Sequence, residues 1–449
     1  MNRRQVFRRL GGLALAAGAA GLRAAQPPRR PNILLIVADD MGYNELGCYG
    51  AANIETPNID GLARQGMRFT DYYVATPLCA PTRVSLMTGR TALRTSLSWN
   101  PDFKDPEDGL SPEETTIAEV LGKAGYATGL VGKWHLGYAP KFWPRRQGFQ
   151  DYFGFLSGNI GYYEHLYHGE KFMYRNETPE DPPGYMTELL TREALAYLER
   201  HRSQSFFLYL AYNAPHAPFE APEQWVKKAR GEMKPAMIEC LDDGIGQVLG
   251  QLKKLGLEDN TLVFFMSDNG APPDANGSNK PLSGWKGQVR EGGIRVPAMA
   301  RWPGRIPAGV TCREPFVSYD LYPTFAAAGS AALPPGVRLD GKNVLPVLEG
   351  KGKSPHEVIC WGYRGAFAAR RGRWKLLVEK GNQSQLFDLE TDIAESKDLS
   401  GERPDMVKEL SARLADWRAG LPASGLADIE RKGPKAADKK AKQEKKSKR

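Results

Sequence analysis

Four short apolar runs, each followed at once by polar residues, constrain the fold of this chain more than any other feature. They read NILLIVADD, YATGLVGKWHLG, FFLYLAYNAPHAPF and TLVFFMSDNG and occupy residues 32–40, 126–137, 206–219 and 261–270. Between them lie stretches of helical period, among them TTIAEVLGKAG, TELLTREALAYLERH and ECLDDGIGQVLGQLKKLG. Strands that alternate with helices predict an α/β fold, in which helices cover both faces of a mostly parallel sheet.

The polar residues that end these runs are expected to lie at one edge of the sheet, because open parallel sheets bind ligands beyond the carboxyl ends of their strands. Asp39 and Asp40 follow the first run, and Asp268 and Asn269 follow the last. Carboxylate and amide oxygens suit Ca²⁺ or Mg²⁺, whereas zinc prefers His and Cys. The four residues therefore predict a divalent metal site, although Asp39 and Asp40 taken alone could instead cap the next helix.

The segment TPLCAPTRVSLMTGR, residues 76–90, predicts a turn that leads into a helix. Pro81 suits a first helical turn, where its missing N–H costs nothing. Cys79 then lies at the helix N-terminus, where free N–H groups and the helix dipole favour anions. Arg83, four residues later, falls on the same helical face. This pattern predicts a place that holds an oxyanion.

Further cationic groups are expected at the same edge. Lys133 and His135 end the second run, His216 ends the third, and Lys286 lies in the Gly-rich segment SGWKGQVREGGIRVP after the fourth. A single histidine in such a loop is more often structural than catalytic. The histidines here are expected to lie close to Arg83, the lysines and a divalent ion. This combination favours catalysis at a pocket for a doubly charged tetrahedral oxyanion.

These motifs closely resemble those of the formylglycine-dependent sulfatases. The resemblance runs from PNILLIVADDMGYNELGCYG through CAPTRVSLMTGR, GKWHLG, NAPHAPF, SDNG and GWKGQVREGGIRVPAMARWPG to LFDLETDIAESKDL, and covers nearly all of residues 31–400. Around NAPHAPFEAPEQW the chain is most similar to relatives of arylsulfatase A and N-acetylgalactosamine-6-sulfatase. The resemblance implies an alkaline-phosphatase-like sheet sandwiched by helices, a smaller C-terminal α+β domain and hydrolysis of sulfuric esters.

The resemblance also implies how the chemistry works. A formylglycine-generating maturation enzyme would oxidise Cys79, reading Pro81 and Arg83 as part of its signal. The resulting aldehyde is held as a hydrate, one hydroxyl of which attacks sulfur and expels the alcohol. Loss of a proton from the second hydroxyl then releases sulfate and restores the aldehyde.

Roles for individual residues follow from the same resemblance. One Ca²⁺ would be bound by Asp39, Asp40, residue 79, Asp268 and Asn269. Arg83 and Lys133 would stabilise the nucleophile, and His135 would take the proton that triggers release of sulfate. His216 and Lys286 would bind sulfate oxygens and assist the leaving group as general acids.

Two other functions stay open at this point. Phosphate and phosphonate ester hydrolases share the superfamily fold, and phosphonate monoester hydrolases also carry C-x-P-x-R. Phosphate ester hydrolases with a second, zinc-type site are disfavoured because SDNG replaces SDHG and removes a nitrogen ligand. A non-catalytic protein that binds sulfated glycans, with Cys79 unconverted, is disfavoured because the predicted site holds more groups than binding requires.

The substrate is expected to be a sulfated carbohydrate or an aryl sulfate, and aromatic residues are the candidates to contact it. Residues 138–174 are rich in Phe, Tyr and Trp, which predicts either a surface that stacks on sugars or a loop that packs on itself. Trp134 and Trp285, each beside a candidate catalytic lysine, are expected at the rim of the pocket.

Basic charge is concentrated at the two ends of the chain. Residues 1–30 carry seven Arg and no acid, and residues 431–449 carry ten Lys or Arg and two acids, so the part between them is net −6 although the whole is +9. This acidic body excludes a nucleic-acid-binding domain. Residues 1–25 predict a twin-arginine-like signal peptide and export to the periplasm or exterior, and residues 431–449 predict a disordered basic tail.

Domain boundaries are expected from a change in pattern near residue 350. Residues 31–352 are predicted to form the catalytic domain. Short alternating segments separated by Gly and Asn, followed by a helical period, predict an α+β subdomain over residues 353–430. No stretch after the signal peptide predicts a membrane span, and the five scattered cysteines predict neither a disulfide framework nor a C-x-x-C metal site.

Overall fold

The structure is a computed structural model that describes residues 29–273, 277–379, 381 and 384–430. The expected signal peptide, residues 1–25, and the expected basic tail, residues 431–449, lie outside the described residues. The strands in the described part are β1 Asn32–Ala38, β2 Met67–Phe69, β3 Tyr72–Tyr73, β4 Ala127–Lys133, β5 Asp151–Phe155, β6 Leu166–Tyr167, β7 Glu170–Lys171, β8 Met173–Arg175, β9 Thr178–Pro179, β10 Phe206–Ala211, β11 Thr261–Ser267, β12 Ala298–Arg301, β13 Val310–Cys312, β14 Phe316–Val317, β15 Ile359–Tyr363, β16 Ala366–Arg371, β17 Trp374–Val378 and β18 Gln385–Asp388. The α-helices there are α1 Pro57–Gln65, α2 Cys79–Thr88, α3 Ile117–Lys123, α4 Met186–Arg200, α5 Glu223–Lys228, α6 Met233–Lys254, α7 Glu291–Ile294, α8 Leu321–Ala328, α9 Leu345–Leu348, α10 Pro404–Ala419 and α11 Ala423–Glu430.

A ten-stranded sheet forms the centre, in the order β13–β2–β12–β11–β1–β10–β4–β5–β8–β9. The central strands β11, β1, β10, β4 and β5 run parallel, and the antiparallel pairs lie towards the edges. Every residue of β1, β4, β10 and β11 is buried. Burial on both faces explains why these strands read as continuous apolar runs rather than alternating ones. The expected fold, a mixed and mostly parallel sheet of the alkaline-phosphatase type, is confirmed.

Helices contact one another in two groups, α1, α4, α5 and α6 in one and α2, α3, α8 and α9 in the other. Helix α6 begins at Met233, six residues before the helical stretch seen in the sequence. Pro235 lies in its first turn, where a proline has no hydrogen bond to lose. Among the described residues, no helix is both long and apolar enough to cross a membrane.

The C-terminal part contains a four-stranded antiparallel sheet, β15–β16–β17–β18, as the alternating segments predicted. One face, which includes Trp361 and Tyr363, belongs to the core of the large sheet, and the other packs on α10 through residues such as Leu410. Successive residues of a strand point to opposite faces, so one short sheet serves both cores. Trp361 Nε1 also donates to the carbonyl of Val74 at 3.0 Å.

Buried ion pairs join the two parts of the chain. Lys375 Nζ lies 2.8 Å from carboxylate oxygens of Glu291 and Glu395, and all three side chains are fully buried. Arg370 pairs with Asp71 at 2.6 Å beside them. The C-terminal sheet is therefore fixed to the part of the chain that carries the large sheet by charge as well as by apolar contact.

The aromatic residues of 138–174 pack on one another. Tyr138, Tyr167 and Phe172 surround Phe103 with ring centroids 5.2–5.6 Å away. The alternative of a loop that packs on itself is therefore the correct one for this group. Trp134 is fully buried and donates from Nε1 to a backbone carbonyl, so its expected place at the pocket rim is wrong.

Candidate active site

The parallel strands bring the polar ends together as the sequence predicted. In the register of β1 and β11, Ala38 lies opposite Ser267, which places Asp39 beside Asp268. The backbone N–H of Asp268 donates to Ala38 O at 3.0 Å, and the N–H of Asp40 donates to Asp268 Oδ1 at 3.3 Å. Three carboxyl groups therefore meet at one point, each almost completely buried.

Each of these carboxylates has a cationic partner. Lys133 Nζ, at the end of β4, lies 2.6 Å from Asp39 Oδ2. Arg83 donates from Nε and Nη2 to Asp268 Oδ2 at 3.1 and 2.8 Å. The third acid, Asp40, accepts from Lys286 Nζ at 2.6 Å. Charge balance of this kind is what allows three acids to be buried together.

The pKa values of Asp39 and Asp268 shift in opposite directions in this environment. Burial opposes ionisation of Asp39, but Lys133, His216, Arg83 and Lys286 outweigh it and hold the pKa of that carboxyl well below its usual value. Burial and the neighbouring Asp39 instead raise the pKa of Asp268 to about 6, in spite of Arg83. Asp268 is thus the acid whose negative charge is least well compensated, which a bound cation would correct.

Cys79 begins α2 and is 1% exposed. Its Sγ lies 3.5 Å from Asp39 Oδ1. Arg83, one turn later, is held on the same side by Tyr209, whose hydroxyl accepts from Arg83 Nη1 at 3.2 Å. Burial, together with Asp39, raises the pKa of the Cys79 thiol to about 12 in spite of the nearby lysines. The sulfur is therefore a neutral thiol, not an activated thiolate nucleophile.

The donor set at this point suits a hard cation. Ligand atoms of Asp39, Asp40, Cys79 and His216 all lie within 4.8 Å of one another. Asn269 donates from Nδ2 to Asp40 Oδ1 at 2.6 Å, and its own Oδ1 is buried with no hydrogen-bond partner among the described residues. Carboxylate oxygens and an amide oxygen that lacks a donor match the ligands that Ca²⁺ takes in proteins. The residues present therefore fit a calcium ion.

The two histidines differ in solvent access. His135 is 4% exposed, and burial, with Lys133 and Arg83 nearby, holds its pKa well below the usual value. It is therefore a neutral base. Its ring lies against Gly158, where an added Cβ would come within 2.6 Å of Nε2 and Cε1. The second histidine, His216, is 18% exposed in its side chain, and its Nε2 lies 3.5 Å from Asp40 Oδ2.

Solvent reaches this cluster from one side. His216 and Lys286 are partly exposed in their side chains, 18% and 16%, whereas Arg83 and Lys133 have no exposed surface. Trp285, which precedes Lys286, is 44% exposed. A substrate therefore meets His216 and Lys286 first, whereas Cys79 is almost completely buried.

Several residues of the site have no signal in the sequence. Tyr209 is an ordinary member of an apolar run, and Gly158 is one of 48 glycines. Lys234, which is buried against Glu45 at 2.8 Å and donates to the carbonyl of Asp40 at 3.4 Å, lies in a helix whose start the sequence did not mark. Only tertiary contacts reveal these three.

Comparison with known proteins gives consistent results. The sequence model of the family described as Sulfatase matches residues 31–330. N-acetylgalactosamine-6-sulfatase of Canis lupus familiaris is 36% identical over 81% of this chain and 74% of its own length. Arylsulfatase A of Homo sapiens is 37% identical over 88% and 84%. The solved structure of Ps i-CgsB in complex with k-i-k-neocarrahexaose superposes with a TM-score of 0.83 at 35% identity, over 87% of this chain and 93% of that one.

Proposed function

This chain belongs to the sulfatase family and is an arylsulfatase-like enzyme, and we propose that it removes sulfate from a sulfated carbohydrate by means of formylglycine made from Cys79 and a bound Ca²⁺. Similarity to N-acetylgalactosamine-6-sulfatases and to a protein solved with neocarrahexaose supports a carbohydrate as substrate. The observation that carries the mechanism is a buried, neutral Cys79 thiol at the centre of a cationic oxyanion site.

A neutral thiol cannot perform the attack that this site is arranged to assist. The pKa of Cys79, raised to about 12, leaves almost no thiolate at physiological pH. Conversion of the thiol to an aldehyde hydrate would place an oxygen nucleophile at the same point without altering the backbone. The N-terminus of α2 then favours the negative charge that develops on that oxygen.

Asp39, Asp40, Asp268 and Asn269 would hold the calcium ion together with residue 79. When bound, Ca²⁺ supplies Lewis-acid polarisation of sulfate oxygens. The protein's part is to keep the ligands ionised and oriented. Lys133 does so through Asp39 and Arg83 through Asp268, at 2.6 and 2.8 Å.

Three groups would move or hold protons. His135, kept neutral by burial and by neighbouring cations, accepts a proton from the residue-79 hydrate as sulfate is released. His216 has Nδ1 2.6 Å from the Ala217 carbonyl, which fixes the ring with Nε2 towards Asp40, at the partly exposed side of the site. Lys286 Nζ neutralises a sulfate oxygen, and either Lys286 or His216 protonates the departing alcohol.

The test asks whether turnover of an aryl sulfate requires modification of residue 79. Mass spectrometry of the peptide that contains residue 79 is expected to show CHO in place of CH2SH in the active enzyme. Cys79→Ala is expected to abolish turnover of an aryl sulfate while leaving the thermal midpoint largely unchanged. Full activity with an unmodified thiol would overturn the mechanism.

The competing functions give different outcomes. A phosphonate or phosphate ester hydrolase would turn over an aryl phosphonate or aryl phosphate faster than the matched aryl sulfate. A non-catalytic protein would bind sulfated oligosaccharides without releasing sulfate. We expect the aryl sulfate to be hydrolysed faster than the aryl phosphonate or aryl phosphate. We also expect sulfated oligosaccharides to release sulfate.

Export is part of the same proposal. The arginine pair and short apolar stretch within residues 1–25 support cleavage and transfer out of the cytoplasm. N-terminal sequencing of the protein from a periplasmic fraction is expected to begin after Ala20 or Ala25. A full-length protein confined to the cytoplasm would contradict export and leave the catalytic proposal untouched.

A further inference from the structure

The hairpin between β15 and β16 turns at two residues with positive φ. Tyr363 pairs with Ala366, so Arg364 and Gly365 form the whole loop, with φ of 50° and 78°. Two-residue turns of this kind favour Asn-Gly, because a bulky side chain is strained at positive φ. Backbone preference therefore does not explain the arginine at the first position of the turn. Residues in disfavoured backbone conformations cluster at functional sites.

Aromatic rings hold the Arg364 side chain in place. Its guanidinium lies 5.3 Å from the ring centroid of Tyr363 and 5.5 Å from that of Trp99, and the two rings are 5.1 Å apart. The turn itself is fixed by the C-terminal helix, since the N–H of Gly365 donates to Ile429 O at 2.6 Å. The cation is therefore preorganised rather than free to swing in solvent.

Trp99 connects this stack to the catalytic helix. The next residue, Asn100, accepts from the N–H of Ala80 through Oδ1 at 3.2 Å. Ala80 follows Cys79 in the first turn of α2. The segment that carries Trp99 thus lies directly against the N-terminus at which the nucleophile is expected.

Tyr363 connects the stack to the other wall of the site. A Cβ built on Gly287 would lie 3.8 Å from Tyr363 Cε1, so the ring lies close to the residue that follows Lys286. The hydroxyl of Tyr363 is buried and has no hydrogen-bond partner among the described residues. The ring of Tyr363, on which Arg364 stacks, therefore lies beside the segment that carries Lys286.

The charge of Arg364 has no carboxylate partner among the described residues, where no carboxylate lies within 4.0 Å of it. Arg370 and Arg371 of β16 and Arg373 of the next turn, by contrast, each pair with at least one carboxylate. Arg364 is also exposed. A guanidinium that is fixed on aromatic faces, and that has no carboxylate partner in the described part of the chain, is suited to bind a sulfate or a carboxylate.

From these contacts we infer that Arg364, stacked on Tyr363 and Trp99, forms a subsite for a second anionic group of the substrate, carried by a sugar next to the one that loses sulfate. The inference rests on the proposed function, because it takes Lys286 and residue 79 as the place where the reacting sulfate binds. It names the substrate class more closely as a carbohydrate with at least two acidic groups.

The test uses competition at the active site. Turnover of 4-nitrophenyl sulfate is measured in the presence of a disulfated disaccharide or of its monosulfated counterpart. The wild-type enzyme is expected to bind the disulfated sugar more tightly. Arg364→Gln is expected to weaken inhibition by the disulfated sugar about tenfold, the scale of one charge-assisted contact, and to leave 4-nitrophenyl sulfate turnover and inhibition by the monosulfated sugar unchanged.

Two further variants make the result decisive. Arg418 is also exposed and stacked on an aromatic ring, that of Phe367 at 4.2 Å, but Phe367 belongs to the opposite apolar face of the sheet, so Arg418→Gln is the matched control. Arg364→Asn suits a positive φ and keeps the turn folded while it removes the charge. Equal inhibition in all variants, or an equal loss in Arg418→Gln, would overturn the subsite.

Calorimetry of the disulfated disaccharide separates the two proposals. If 4-nitrophenyl sulfate is not hydrolysed, the proposed function fails, and binding to the wild type and to Arg364→Gln still decides the subsite. Binding that differs between them supports it, and identical binding rejects it.

Discussion

Lys375 donates from Nζ to Oε1 of Glu291 at 2.8 Å, and neither side chain has any exposed surface. Lys375 belongs to the C-terminal sheet, whereas Glu291 begins α7, five residues after Lys286. The pair therefore ties the segment that carries a candidate sulfate-binding lysine to a strand of the other sheet. Glu395, also 2.8 Å from Lys375 Nζ, completes the cluster.

Replacing Lys375 tests how much this connection stabilises the fold. Lys375→Met is expected to lower the free energy of unfolding by about 3–5 kcal/mol, because it leaves two buried carboxylates without their cation. Urea unfolding measures the change. Lys351→Met, at a 70% exposed lysine paired with Glu349, is expected to cost less than about 1 kcal/mol. Equal losses of unfolding free energy in the two variants would show that the buried cluster stabilises the fold no more than an exposed ion pair does.

Glu291 should also make stability depend on acid pH. Burial opposes its ionisation, but Lys375, Arg295 and Arg370 prevail and lower its pKa from 4.5 to about 2. A carboxylate with a lowered folded-state pKa stabilises fully above the unfolded value, and that contribution is lost as pH falls from 4.5 towards 2. The urea midpoint of the wild type is therefore expected to fall more steeply across this range than that of Glu291→Gln. Parallel curves would refute the assignment.

Gly158 is predicted to be indispensable for placing His135. In Gly158→Ala the new Cβ would lie 2.6 Å from the imidazole, which is buried and must move. Turnover of an aryl sulfate is expected to drop roughly 100-fold, since a displacement near 1 Å has that effect on catalytic groups. Bound calcium should be unchanged. Gly250→Ala, where an added Cβ meets no described atom within 4 Å beyond the adjacent turns of its own helix, is the control and should keep full activity.

Asp268 is the acid whose replacement should most clearly report the metal. Asp268→Asn keeps the shape of the side chain but removes the charge that faces Arg83. Calcium affinity, measured by calorimetry, is expected to fall at least about tenfold and turnover to be lost. Asp259→Asn, at an exposed acid outside the site, should change neither. Full activity after exhaustive chelation, or stoichiometric zinc in the native protein, would contradict a calcium site.

The site residues that the sequence predicted share a simple geometric cause. Asp39 and Asp268 follow strands that pair in parallel, so their approach is a consequence of register once the sheet is predicted. Cys79 and Arg83 are four residues apart on one helix, which fixes their common face. Local sequence patterns therefore predict which of these residues come together, and the resemblance to sulfatases implies what each residue does.

Other features depend on contacts that no local pattern records. The sequence predicts Trp134 at the rim because it follows Lys133. Successive residues of an extended segment point to opposite sides, however, so the neighbour of a lysine that points into the site points into the core. Tyr363 and Lys375 act on residues far away in the sequence, across the junction of two sheets. The residues that they contact can be identified only once the packing of the two sheets against each other is known.

The 1% exposure of Cys79 has a consequence for the order of events in biosynthesis. If residue 79 is converted as proposed, the modifying enzyme must reach it before α2 is enclosed between the acids of β1 and β11. Conversion and folding then compete in time, and a chain that folds first stays a thiol for its lifetime. The active fraction of a preparation is therefore set while each molecule is being made, and slowing the folding of new chains should raise it.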